Sequence, residues 1–276
     1  MIKGLTIIGE SINDSVPSTQ ALYDAADLKG IVQLARLQAE AGATYIDVNI
    51  GLRPASLMTE VIERIQTLMT TKISIDSPSF EVLKAGLETV RSKPILNSIS
   101  PQRKEMFELA KIRSFRPILL ISENNNAPCT TVDETLEAAR VLLEAAHQVG
   151  IPNEDCIFDP GIGPIAADMD GSIKRVFGSM KRISEDPLFA GVHFSVGMSN
   201  FTVMLPPKRA DGGPVKSALE SAFITRASKV GLDFIIGSVK RNYRILPEGD
   251  PALVCLDDCL SIPDDQVVER VMEFYS

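Results

Sequence analysis

Eight short apolar runs, each followed by a longer amphipathic stretch, recur along the 276-residue chain. They cover residues 5–9, 45–50, 72–76, 94–98, 117–122, 156–159, 192–197 and 234–237. Runs this short and this rich in β-branched residues suit strands buried on both faces of a parallel sheet. The stretches between them have helical period. Leu28, Ile31, Val32, Ala35 and Ala39 share one helical face. Thr131-Val-Asp-Glu134 reads as a capping box, and it opens a stripe of Leu136, Ala139, Leu143 and Ala146. Gly42, Gly150 and Gly231 stand where a helix must end before the next strand. Eight such units predict a (β/α)8 barrel, an α/β fold in one domain over residues 1–276. A doubly wound open sheet is the alternative. The Pro/Gly-rich segment 205–215 reads as a long loop after the seventh strand.

A net charge of -8 argues against a general nucleic-acid or anionic-membrane binder, since both favour basic surfaces. No apolar run reaches the roughly 18 residues that span a bilayer. The first ten residues lack the apolar stretch of a signal peptide, so a cytoplasmic protein is expected. Four cysteines are too few for a disulfide scaffold of this size. Cys255 and Cys259 lie four apart with no histidine nearby, which favours isolated core thiols over zinc. Cys129 and Cys156 have no basic neighbour to activate them, and His147 and His193 read as structural.

The strand exits are more telling. Glu10, Asn49, Asp76, Asn97, Glu123, Asp159, Asn200 and Ser238 all stand at or just past them. In a barrel those ends form the rim that carries binding and catalytic groups. Asn and Asp also cap turns, which explains any one of these residues. That account does not explain why carboxylates and carboxamides predominate while His, Lys and Arg are missing. Such a rim suits a neutral heterocycle with several N–H donors. Oxygen ligands could also hold a metal, but no D-x-D-x-D or H-x-x-E cluster is present, and no metal is expected.

Six motifs carry a family resemblance nearly end to end. They are Gly9-Glu10-Ser11-Ile12-Asn13, Ile46-Asp47-Val48-Asn49-Ile50-Gly51, Ile75-Asp76-Ser77, Leu96-Asn97-Ser98, Phe158-Asp159-Pro160-Gly161-Ile162-Gly163 and Gly197-Met198-Ser199-Asn200. In this order the chain resembles the pterin-binding barrels: dihydropteroate synthases, the folate module of cobalamin-dependent methionine synthase, and methyltetrahydrofolate–corrinoid methyltransferases. The resemblance implies that Asp76, Asn97 and Asp159 bind the pterin ring, with Glu10, Asn49 and Ser199 around it. The chemistry agrees, because a carboxylate accepts two parallel N–H bonds from the guanidine-like edge of the ring.

The seventh strand separates the subfamilies. The synthases carry a Gly-x-Ser-Arg-Lys type motif, and the stretch here is Gly197-Met198-Ser199-Asn200-Phe201. Ser-Asn is the ending of the methyltransferases, in which the Asn bonds at N5 of the pterin. Asp159-Pro-Gly-Ile-Gly163 looks more like the synthases, and Ser11 stands where the methyltransferases usually have Arg. The implied activity is methyl transfer between N5 of tetrahydrofolate and the cobalt of a corrinoid, with Asn200 and Asp76 as catalytic residues. No Asp-x-His-x-x-Gly motif is present, so the corrinoid is expected on a partner protein. A homodimer is also expected, because family members often pair. A dihydropteroate synthase-like condensing enzyme and a non-catalytic folate-binding subunit are the alternatives. Lys208, Arg209, Lys216, Arg241 and Arg244 cluster near the expected rim. They read first as solvated surface and second as contacts for the glutamate tail of folate.

Overall fold

The computed structural model describes residues 2–123 and 127–276; Met1, the first of the ten residues read for a signal peptide, lies outside the described residues. Its eight strands are β1 (Thr6–Asn13), β2 (Tyr45–Asn49), β3 (Lys72–Asp76), β4 (Ile95–Ile99), β5 (Arg116–Leu120), β6 (Ile157–Asp159), β7 (His193–Phe194) and β8 (Phe234–Gly237). They run parallel in the order β7-β6-β5-β4-β3-β2-β1-β8. The ladder from Thr6↔Phe234 to Gly9↔Gly237 joins the first strand to the last, which an open doubly wound sheet does not do. Parallel bridges Phe194↔Leu232 and Gly197↔Ile236 bring the remaining edges together. The result is a nearly closed (β/α)8 barrel.

The helices are α1 (Pro17–Asp24), α2 (Leu28–Glu40), α3 (Ala55–Leu68), α4 (Phe80–Thr89), α5 (Val132–Gln148), α6 (Ser172–Glu185), α7 (Met198–Thr202), α8 (Lys216–Ala227), α9 (Pro251–Ser261) and α10 (Val267–Tyr275). Local chemistry sets their ends. Asp27 accepts from the Gly30 N–H at 3.0 Å to start α2. Thr131 and Glu134 form the expected reciprocal capping box on α5. Gly150 and Gly231 follow α5 and α8 with φ of 79° and 104°, a left-handed geometry that a Cβ disfavours. Between β4 and β5 a 3-10 segment, Pro101–Lys111, takes the place of an α-helix.

Two elements differ from the sequence expectation. β1 continues past Gly9 to Asn13 through a bulge, so Glu10 sits within the strand rather than at its exit. β7 is only two residues long, because the ladder to β6 stops at Phe158↔Phe194. The chain nevertheless stays extended beyond it: Ser195 N–H donates to the Phe158 carbonyl, and the Val196 carbonyl accepts from Ile236 N–H. The short helix α7 then comes before the expected loop.

Strand period builds the interior in two layers. Ile8, Tyr45, Ile95, Ile118, Ile157 and Phe234 pack together inside the barrel as an apolar plug. Two residues further along the same strands come Glu10, Asp47, Asn97, Leu120, Asp159 and Ile236, and all six line a cavity above the plug. The larger apolar core fills the space between the strands and the helices.

Candidate functional site

The cavity has a volume of about 290 Å³ and opens at the carboxyl ends of the strands. Asn13, Asp76, Ser98, Ser199 and Asn200 complete its polar wall. A surface groove of about 920 Å³ between α2 and α3 is larger, but four of its charged side chains are paired along their own helices, Arg36 with Glu40 and Arg64 with Glu60. Converging, unspent polar groups mark the smaller cavity as the site.

Asp47 and Asp76 form its floor. Asp47 is buried and accepts from the Ser74 hydroxyl at 2.5 Å and from Asn97 Nδ2 at 3.5 Å. It is also hydrogen-bonded with Asp76, which accepts from Asn49 Nδ2 at 2.9 Å. Burial pushes the carboxyl of Asp47 well above the usual carboxylate range, and the charge of Asp76 adds to that. Burial raises Asp76 as well. Two acids this close disfavour ionising together, so the pair holds a proton more readily than an isolated carboxyl. Asn49 does not line the cavity: its Oδ1 accepts from the Gly51 N–H at 2.8 Å, and its amide holds Asp76.

Asp159 stands by itself on another wall. It accepts from the Gly161 N–H at 2.9 Å and the Ser195 hydroxyl at 3.4 Å. Burial pushes its carboxyl up to about 6 against those bonds. An acid with a raised folded pKa binds its proton better in the native state, so stability falls as pH rises from about 4 to 6 and stays lower above. At pH 8 the buried charge costs up to about 3 kcal/mol. Asp159→Asn should therefore raise Tm by a few degrees at pH 8, and the gain should vanish near pH 4. Melts at the two pH values test this, and a variant less stable than wild type at pH 8 would contradict it.

Glu10 and Ser199 close the site from β1 and α7. The Ser199 hydroxyl donates to Glu10, whose carboxyl is raised by burial. Asn200 is exposed at the mouth. Its backbone N–H bonds the Gly197 carbonyl, while among the described residues its carboxamide has no hydrogen-bond partner. Gly197 makes room for it, since a Cβ there would lie 3.0 Å from Asn200 Nδ2. A turn cap would be bonded to backbone, and this side chain is not.

Four polar residues of the site escaped the sequence reading: Asn13 and Ser98, which line the cavity, and Asp47 and Arg103. Asp47 lies two residues before Asn49, and the period of β2 could have found it. Arg103 comes from the 3-10 segment, donates to the Ser98 hydroxyl at 3.1 Å and lowers Asp76 by its charge. No local pattern marks it. Of the other rim candidates, Glu123 lines a separate cavity beside α5 and Ser238 precedes a short 3-10 turn. His147 bonds Asn153, and His193 bonds Asp233 at the opposite end of the barrel. All four cysteines are buried. Among the described residues no three His, Cys, Asp or Glu side chains are grouped to hold a metal ion, and no helix is long and apolar enough to cross a membrane.

Comparison with known proteins gives the same picture. The chain is 25% identical over 237 residues to a methylcorrinoid:tetrahydrofolate methyltransferase of Eubacterium limosum, covering 83% of each chain. Its fold is similar to dihydropteroate synthase of Xanthomonas albilineans in complex with 7,8-dihydropteroate, with TM-score 0.59, 18% identity and 94% of each chain covered. It is also similar to 7,8-dihydropteroate synthase of Vibrio fischeri, with TM-score 0.61, 16% identity and 99% of this chain and 93% of that one covered. Residues 12–237 match the family described as pterin binding enzyme, and the chain, with its two-layered barrel and acid-lined mouth, belongs to that family.

Proposed function

We propose that this protein moves a methyl group between N5 of tetrahydrofolate and the cobalt of a corrinoid carried by a partner protein, and that it works as a cytoplasmic homodimer. Asn200 carries the reading: a carboxamide without a hydrogen-bond partner among the described residues, at the mouth of the cavity, where the synthase motif has an arginine followed by its lysine and this chain has Asn200-Phe201. The name of the Eubacterium limosum relative, which pairs a methylcorrinoid with tetrahydrofolate, supports it.

The side chains have distinct tasks in this reading. Ionised Asp159 accepts two N–H bonds from the guanidine-like edge of the pterin. Asp76, steadied by Asn49 and Asp47, accepts a further N–H, and Asn97 can both donate and accept. Glu10 holds Ser199, which fixes the start of α7 and so the approach of Asn200. Methyl transfer then depends on positioning and on electrostatics at N5.

The test is direct. The protein is mixed with methylcobalamin and tetrahydrofolate, and methyltetrahydrofolate is expected as product. Folate binding without turnover would instead leave a non-catalytic folate-binding subunit. The Asp159-Pro-Gly-Ile-Gly163 stretch favours a second reading, a synthase-like condensing enzyme. Formation of dihydropteroate from a pterin diphosphate and 4-aminobenzoate would establish that one.

A further inference from the structure

Four of the five basic residues grouped near the expected rim have distinct surroundings. Arg209 bonds Asp211 and lies 5.2 Å from the centre of the Phe274 ring. Lys216 Nζ donates to the Val203 carbonyl at 3.3 Å. Arg241 Nε stands 3.4 Å from Oε2 of buried Glu220, whose other oxygen accepts from the Thr202 hydroxyl at 2.6 Å. Arg244 is different. Its backbone N–H donates to Ser221 Oγ at 3.4 Å, and among the described residues nothing bonds its exposed guanidinium.

Arg241 and Arg244 line one cavity of about 390 Å³, between the first turns of α8 and the chain leaving β8. Asn242, left-handed with φ 53°, turns the chain between them. Ser217, Ser221 and Asn242 supply further hydrogen-bonding groups, and no carboxylate lines the cavity. Glu220 partly offsets Arg241, which leaves the Arg244 charge uncompensated. A concavity with an unpaired guanidinium, hydroxyls and a carboxamide selects an anion, and carboxylate matches the planar guanidinium fork. Loops after the last two strands, with a helix start, are where (β/α)8 barrels build anion sites.

The source of the anion follows from size. The barrel cavity, at about 290 Å³, has room for a bicyclic ring and little else. A folate bound there must lead its aminobenzoyl-glutamate tail out through the mouth. Arg241 links the two cavities: it lines the second and pairs with Glu220, whose other oxygen holds Thr202 of α7, the helix that puts Ser199 and Asn200 on the wall of the first. We propose that the Arg241–Arg244 cavity is a carboxylate subsite for the glutamyl tail of a folate, and that Arg244 gives the protein a preference for longer tails. This rests on the folate reading above.

The test is calorimetry on the full chain, wild type and Arg244→Gln, with three probes: 5-methyltetrahydrofolate bearing one glutamate, the same folate bearing three, and tail-free 5-methyltetrahydropterin. The variant should bind the triglutamate about fivefold more weakly, as expected for one exposed ion pair, and bind the tail-free pterin like wild type. Raising ionic strength from about 0.05 to 0.5 M should shrink the wild-type preference for the triglutamate. Equal triglutamate affinity in the two proteins overturns the subsite, and so does an equal loss for the tail-free pterin. If wild type binds none of the three probes, the folate reading falls and the subsite with it. Arg244 is exposed and bonds only through its backbone, so the variant should fold, and its melting temperature checks that.

Discussion

Asp159→Ala should weaken methyltetrahydrofolate binding tenfold to a hundredfold. In the free protein this carboxylate lies on a buried wall, its hydrogen-bond partners among the described residues being Gly161 and Ser195, and burial pushes its pKa up to about 6. A pterin edge offering two N–H groups supplies what burial withholds. Loss of a charge-assisted bond of this kind costs about 1.5–3 kcal/mol, because the donors of the ring are left desolvated without an acceptor. A pH signature comes with it. Two N–H donors favour the ionised form, so binding lowers the Asp159 pKa and releases a proton when the pH is near 6. Affinity should fall as pH drops below 6 in wild type, and this inflection should be missing in Asp159→Asn. Calorimetry in buffers of different ionisation enthalpy reads both effects. Wild-type affinity in the alanine variant would remove Asp159 from the pterin site. Taken with the expected stability gain of Asp159→Asn, the residue lowers stability to keep an acceptor ready for its ligand.

Much of this arrangement was legible in the chain, for a definite reason. A parallel strand covered on both sides shows itself by a short apolar run, and eight of them leave few ways to close a sheet. Eight polar residues at or just past the exits of such runs were visible from position, and the resemblance to the pterin-binding barrels singled out Asp76, Asn97 and Asp159 among them. The period that buries Tyr45 also aims Asp47 and Asn49 inward, yet position at the exit drew attention to Asn49 alone. In the folded chain Asn49 is spent on Gly51 and Asp76, and Asp47 lines the cavity. The bulge in β1 and the abrupt end of β7 depend on neighbouring strands, and a single sequence does not display its neighbours. Arg103 reaches the site from a 3-10 segment with no periodic pattern. The basic residues near the carboxyl end form one group in sequence, and only packing shows that Arg209 is tied to Asp211 while the Arg244 guanidinium has no partner among the described residues.

Asn200→Ala should slow single-turnover methyl transfer about a hundredfold while changing folate affinity much less. A neutral tertiary amine is a poor leaving group, so N5 must gain a proton or a strong hydrogen bond as its bond to the methyl carbon breaks. In the reverse direction N5–H attacks the methyl group and must shed its proton. Asn200 can donate to N5 or, with its carboxamide turned over, accept from N5–H, so it serves both states. In the proposed reaction it supplies no proton at neutral pH, and its exposure at the open mouth leaves solvent as the proposed source. An interaction that strengthens in the transition state lowers the transfer rate, whereas one equally strong in the ground state changes affinity alone. One preorganised hydrogen bond at a centre of developing charge contributes roughly a hundredfold. Gly197→Ala makes a second probe, because the new Cβ would crowd Asn200 Nδ2 at 3.0 Å and shift the carboxamide without removing it. That variant should also transfer slowly, with its pterin affinity kept. The measurement is rapid mixing of protein and tetrahydrofolate with methylcobalamin under single-turnover conditions. If Asn200→Ala transfers methyl at the wild-type rate, the carboxamide is not the group at N5, and the choice of methyltransferase over synthase loses the residue on which it stands.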